Sequence, residues 1–198
     1  MKRLLLLGAA LLAFAGSAFA QSYNTAQTVF PVTQRTYSAT ITGLTPAASA
    51  TDFLTVTGVA GHIVRITRAE CSGTATAAGA SLVVALVRST ADSGGTSSTL
   101  TAVPADQGDS AAGATVKAYT ANPTIGTLVG NARASYLGLA ASASAVAAAP
   151  LAWDFGPRPF TRTGVVLRDA NHVFALNANA ASFPAGTSID CSIEWTEQ

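Results

Sequence analysis

Apolar and polar side chains alternate with a period of two along most of this chain, and the helical spacing of three to four residues is almost absent. Tyr37, Ala39 and Ile41 alternate with Ser38, Thr40 and Thr42 ahead of Gly43. Phe53-Leu54-Thr55-Val56-Thr57 follows and stops at Gly58. Over residues 62–71, Val64 and Ile66 alternate with Arg65 and Thr67, the pattern of a half-buried strand. Residues 81–88 carry the apolar run Leu82-Val83-Val84-Ala85-Leu86-Val87, which predicts a central strand covered on both faces. The cleanest alternation spans residues 188–196. It sets Ile189, Cys191, Ile193 and Trp195 on one face against Ser188, Asp190, Ser192, Glu194 and Thr196 on the other. Further strands are predicted over residues 115–119, 125–129, 132–139, 151–155, 163–167 and 172–177.

Between these segments stand turn residues. Residues 89–98 hold Gly94-Gly95 among serines and threonines and are read as a connection between strands. About nine or ten short strands without intervening helices predict an all-β fold, an antiparallel β-sandwich with jelly-roll topology preferred over an immunoglobulin-like Greek key. The Ala-rich residues 138–150 are the one place where helix propensity competes. Ser142 and Ser144 draw backbone hydrogen bonds away from a helix there, so a loop or a single helical turn is expected.

The first twenty residues read as a secretory leader. Lys2 and Arg3 precede the apolar run 4–14, and Ala18-Phe19-Ala20 offers the small residues at which a signal peptidase cuts. The run is shorter than the ~20 residues needed to span a bilayer, which disfavours an uncleaved anchor. Residues 21–198 are then a single β domain, expected to be secreted, periplasmic or at an extracellular surface, with no membrane association after cleavage. Of eleven basic residues two lie in the leader, which leaves nine against ten acidic ones. A nearly neutral surface without a basic patch excludes nucleic acid as a partner class. Export also places Cys71 and Cys191 where disulfides persist. A bridge between them is favoured over two buried thiols, and it would tie the third or fourth strand to the last.

Candidate chemistry is sparse. His62 and His172 are far apart and have no partner at metal-ligand spacing. No Gly-x-Ser-x-Gly elbow, phosphate-binding loop or Cys-x-x-Cys pair occurs. Asp106-Gln107-Gly108-Asp109-Ser110 places two carboxylates about a glycine, yet it lacks the alternating ligands and the distal Glu of a calcium loop and reads as a solvated turn. Asp154, Asp169, Asp190 and Glu194 are the carboxylates available to a glycosidase-type pair. Trp153, Phe155, Tyr119, Tyr136, Phe160 and Phe183 would stack on sugar rings if several shared one exposed face, whereas Trp153 and Trp195 in alternating strands are expected to fill the core. No catalytic, cofactor or metal residue is assigned, and a non-enzymatic role is expected.

The segments Ser72-Gly73-Thr74-Ala75-Thr76, Arg88-Ser89-Thr90 through Gly94-Gly95-Thr96, Thr101-Ala102-Val103-Pro104, Ala118-Tyr119-Thr120-Ala121-Asn122-Pro123-Thr124, Trp153-Asp154-Phe155-Gly156 and Glu194-Trp195-Thr196-Glu197 resemble a group of small β proteins encoded by tailed phages and environmental relatives. The resemblance covers most of residues 21–198. It implies a jelly-roll-like component of a virion surface or appendage and carries no catalytic residues. The leader departs from it, since virion proteins assembled in the cytoplasm need none. A structural or interaction module that forms a homo-oligomer or decorates a surface is therefore the expected function. A carbohydrate-binding module with a glycan partner comes second, and a secreted hydrolase third.

Overall fold

The computed structural model describes residues 34–144, 146–156 and 164–198, so the leader expected over residues 1–20 lies outside the described residues. Among the described residues there are twelve strands: β1 (Arg35–Leu44), β2 (Asp52–Thr57), β3 (Val64–Ala75), β4 (Gly79–Arg88), β5 (Thr96–Leu100), β6 (Val103–Pro104), β7 (Thr115–Ala121), β8 (Leu128–Ala141), β9 (Leu151–Asp154), β10 (Val165–Leu167), β11 (Val173–Asn177) and β12 (Ser188–Glu197). The all-β expectation holds, and the Ala-rich segment carries turns rather than a helix among its described residues.

The hydrogen-bonded order is β5-β7-β2-β11-β4-β8-β3-β12-β1-β6, with β9 and β10 also pairing β3. Two rows can be traced in it, β1-β12-β3-β9 and β2-β11-β4-β8. In this order the first strand lies beside the last, β1 next to β12, and β2 lies next to β11. The rows are not two separate sheets. The end of β8 pairs in parallel with the end of β3, Thr74 with Ala140 and Ala75 with Ala141, so the strands form one curled, mixed sheet.

Side-chain periodicity explains the register. In β12, Ile189, Cys191, Ile193 and Trp195 all point into the core as expected, and Tyr37, Ala39 and Ile41 of β1 stand opposite Trp195, Ile193 and Cys191. In β3, Val64 and Ile66 point inward, but so do Ala69 and Cys71, an odd step that a regular strand cannot make. A bulge resolves it: Glu194 pairs Arg68 and Trp195 pairs Ile66, leaving Thr67 as the extra residue. The Thr67 carbonyl instead accepts a hydrogen bond from the Phe155 amide at 2.7 Å.

One core cluster draws on both rows, from Tyr37, Ile193 and Trp195 in one to Leu54, Phe174 and Leu137 in the other. Trp195 is fully buried and stacks on Tyr37 with ring centroids 5.8 Å apart. Its indole N–H donates to Glu197 at 2.8 Å, and Glu197 also accepts from the Gly113 and Ala114 amides. Cys71 and Cys191 stand directly opposite in β3 and β12 with Cα atoms 4.2 Å apart and are joined as a disulfide.

Three expectations need correction. The run 89–98 is not all connection, because Thr96–Leu100 forms β5 at the sheet's edge. Segments 125–129 and 132–139 are not two strands. From Leu128 onward they form one: Gly130 and Asn131 pair Val87 and Leu86 of β4 instead of making a turn, and the register shifts on either side of them skip Val129 and Ala132. The strand expected over 163–167 begins at Val165 among the described residues, residue 163 lying outside them.

Candidate functional site

The only buried ion pairs among the described residues lie on the outer face of the β2-β11-β4-β8 row. Along β11, Phe174 and Leu176 face the core, so Val173, Ala175 and Asn177 face outward and meet Leu86 and Val84 of β4 and Thr55 and Thr57 of β2. Arg88 ends the apolar run of β4 at the level of Val173. Asp52 begins β2 at the level of Asn177. The guanidinium therefore reaches diagonally across β11 to form a two-pronged pair with Asp52, Nε to Oδ2 at 2.6 Å and Nη2 to Oδ1 at 2.9 Å. Asn177 Nδ2 donates to the same Oδ1. Arg88 is 3% exposed and Asp52 1%, so neither charge has water as an alternative partner.

Two loops close over this pair. Residues 89–93 and 124–127 run side by side: the Ser93 and Thr124 amides and carbonyls bond each other, Ser89 N–H donates to the Thr127 carbonyl, and Thr127 N–H donates to Thr90 Oγ1 at 2.7 Å. They are fastened to the ion pair at Gly126, whose carbonyl accepts from Arg88 Nη1 at 3.0 Å and whose N–H donates to Asp92 Oδ1 at 2.9 Å. Only glycine fits there, since a Cβ would lie 1.9 Å from the Thr90 carbonyl oxygen. Asn122 ties the same loop to the start of β2, accepting from Thr51 N–H and donating to the Ser49 carbonyl.

One arginine thus serves two carboxylates, with Asp92 Oδ1 3.6 Å from Arg88 Nε. Burial above all, and then repulsion from Asp52, pushes the Asp92 carboxyl up to about 6, although the Gly126 amide and Arg88 pull the other way. The Tyr119 phenol is raised too, by burial and by the Asp92 charge. Arg88, Asp52, Asp92 and the two loops they fasten make up a latch, and beside it lies a groove of about 360 Å³. Val84 and Leu86 form its floor, Ile125, Gly126 and Leu128 one wall, and Thr51, Asn131, Asn177 and Asn179 the polar surround.

The residues singled out from the sequence are dispersed. His62 is exposed; His172 is half-buried and accepts the Arg168 amide through Nδ1 at 3.3 Å. Asp106 caps its own turn by accepting Gly108 N–H. Asp109 and Ser110 engage Arg35. No group of three or more His, Cys, Asp or Glu residues suited to a metal occurs among the described residues. Asp154 and Glu194 stand on either side of Arg68 in β3, separated by a cation rather than facing each other across a cleft. Asp169 caps its own turn by accepting from the Asn171 amide, and Asp190 of β12 accepts from the Gly43 amide of β1. Phe155, Phe183 and Tyr119 are buried and Trp153 is half-buried, so among the described residues only Tyr136 of the expected aromatic platform is exposed; Phe160 lies outside them. The sequence reading missed Asp52, Arg88 and Asp92. An arginine closing an apolar run that is covered on both faces was the available sign, because such a cation needs a buried partner.

Among the described residues no helix is long and apolar enough to cross a membrane. Compared with family models, curated proteins and solved structures, this chain matches none.

Proposed function

We propose that this chain is an exported, non-enzymatic structural or interaction module that pairs with a second copy or with another protein at a virion or cell surface. The observation that carries the reading is the free edge of β8. Over residues 128–137 this strand is hydrogen-bonded only to β4 among the described residues, and it leaves Leu128, Val129 and Tyr136 53%, 66% and 69% exposed. A long strand edge with open N–H and C=O groups and apolar side chains beside it is a template for another strand. The leader pattern and the disulfide support an oxidising, extracytoplasmic setting.

Size-exclusion chromatography with light scattering tests it. A dimer or larger assembly that strengthens with concentration is expected, and Val129→Lys with Tyr136→Lys should return it to monomer by placing charge on the edge. A monomer at every concentration that also binds no protein on the surface of its source particle or cell would overturn the reading.

A further inference from the structure

The groove beside the Arg88 latch has the composition of a ligand site, and we infer that it binds an uncharged saccharide. Its volume of about 360 Å³ falls within the range of about 300–1,000 Å³ typical of small-molecule sites. Three neutral polar side chains around it are uncommitted among the described residues. Thr51 Oγ1 is buried without a hydrogen-bond partner, and neither the Asn131 nor the Asn179 amide bonds another protein group. Among the described residues, Asn179 and Ala180 are also the two non-glycine residues with positive φ, 56° and 54°. They are the central pair of a tight turn closed by Ala181 N–H donating to the Ala178 carbonyl at 2.9 Å, which sets Asn179 on the groove wall. Ala180 N–H donating to the Ala50 carbonyl and Asn179 N–H donating to Asn177 Oδ1 hold the turn in place.

The chemistry of the lining selects the ligand class. The one cation in the groove, Arg88, is already shared by Asp52 and the Gly126 carbonyl, so it offers little to an anion. Side-chain amides and a hydroxyl both donate and accept, which matches the hydroxyls of a sugar. Val84 and Leu86 below them, with Ile125 and Leu128 at the rim, suit the C–H face of a ring. An extended peptide fits less well. Both strands of the floor are paired on each side, β4 by β8 and β11 and β11 by β2 and β4, so no open backbone ladder runs along the floor. The groove takes Leu128 and Asn131 from the strand that carries the free edge, but its floor is the outer face of β4, so the saccharide is offered both to the parent and to the Val129→Lys, Tyr136→Lys chain, in which the edge is blocked by charge.

Saturation-transfer NMR on the full chain, offered cellobiose, maltose, lactose and chitobiose together with glucuronic acid, sialyllactose and a capped tetra-alanine peptide, tests it. Transfer to ring protons of at least one neutral disaccharide is expected. Affinity for that disaccharide should fall about tenfold in Asn131→Ala and again in Asn179→Gly, which removes the amide while suiting the positive φ. Circular dichroism and thermal unfolding of both variants should match the parent. No transfer to any neutral disaccharide, transfer confined to the charged sugars or the peptide, or binding that survives in the double variant would overturn the assignment.

Discussion

At the scale of single residues the Arg88 cluster sets the strongest expectations. Arg88→Met keeps the bulk of the side chain but strands Asp52, buried, with Asn177 as its remaining polar partner. Removing one member of a buried pair typically costs about 3–5 kcal/mol. The unfolding free energy from a urea titration should fall by that amount, through a lower midpoint at an unchanged slope. Arg88→Lys should also be destabilising, because an ammonium cannot span both Asp52 oxygens and the Gly126 carbonyl in one plane. Asp92 predicts a pH dependence of the opposite sense to most acidic groups. Its carboxyl is raised from 3.8 to about 6, so between those values the folded chain keeps a proton that the unfolded chain has released. Its contribution to stability therefore falls as pH rises from about 4 to 6 and stays low above. Asp92→Asn keeps an acceptor for the Gly126 amide and removes repulsion with Asp52. Its stability should depend less on pH across that window, and it should gain on the parent at pH 7; parallel curves would exclude Asp92 as the source.

Among the strands, those with one wet face and one dry one could be placed from their alternation: β1, β3 and β12 lie where Tyr37, Val64 and Ile189 open period-two runs. What alternation cannot show is pairing at an edge. Strand β5, Thr-Ser-Ser-Thr-Leu, has almost no apolar side chain, and its order comes from β7 rather than from burial. Nor can it tell a bulge from a turn, which is why Gly130-Asn131 split β8. The latch was invisible for a further reason: Asp52, Arg88 and Asp92 meet only when β2, β4 and β11 are adjacent and two loops fold back, a property of topology and not of local sequence. The Cys71–Cys191 bridge was legible in the compartment argument. It spans 120 positions in sequence, for which the chain-entropy model gives about 5 kcal/mol. Replacing both with Ala should cost about 2–5 kcal/mol in a thermal or urea titration, and a loss well below that range would mean that the unfolded chain is already compact there.

For the whole molecule, β12 decides whether there is a fold at all. It lies between β1 and β3, carries Ile189, Ile193 and Trp195 into the core, and ends in Glu197, which binds Gly113 and Ala114 ahead of β7. A chain ending at Thr187 is therefore expected to show collapsed amide dispersion in NMR and no cooperative thermal transition. A cooperative transition in that truncated chain would contradict the central role given to β12. Synthesis makes this strand last of the twelve. Until it emerges from the ribosome, β1 and β3 have nothing between them, and the nascent polypeptide cannot close its sheet. Placed there, the keystone leaves the polypeptide without its closing element until the last of these strands is made, and the covalent seal between Cys71 and Cys191 has no second half before then.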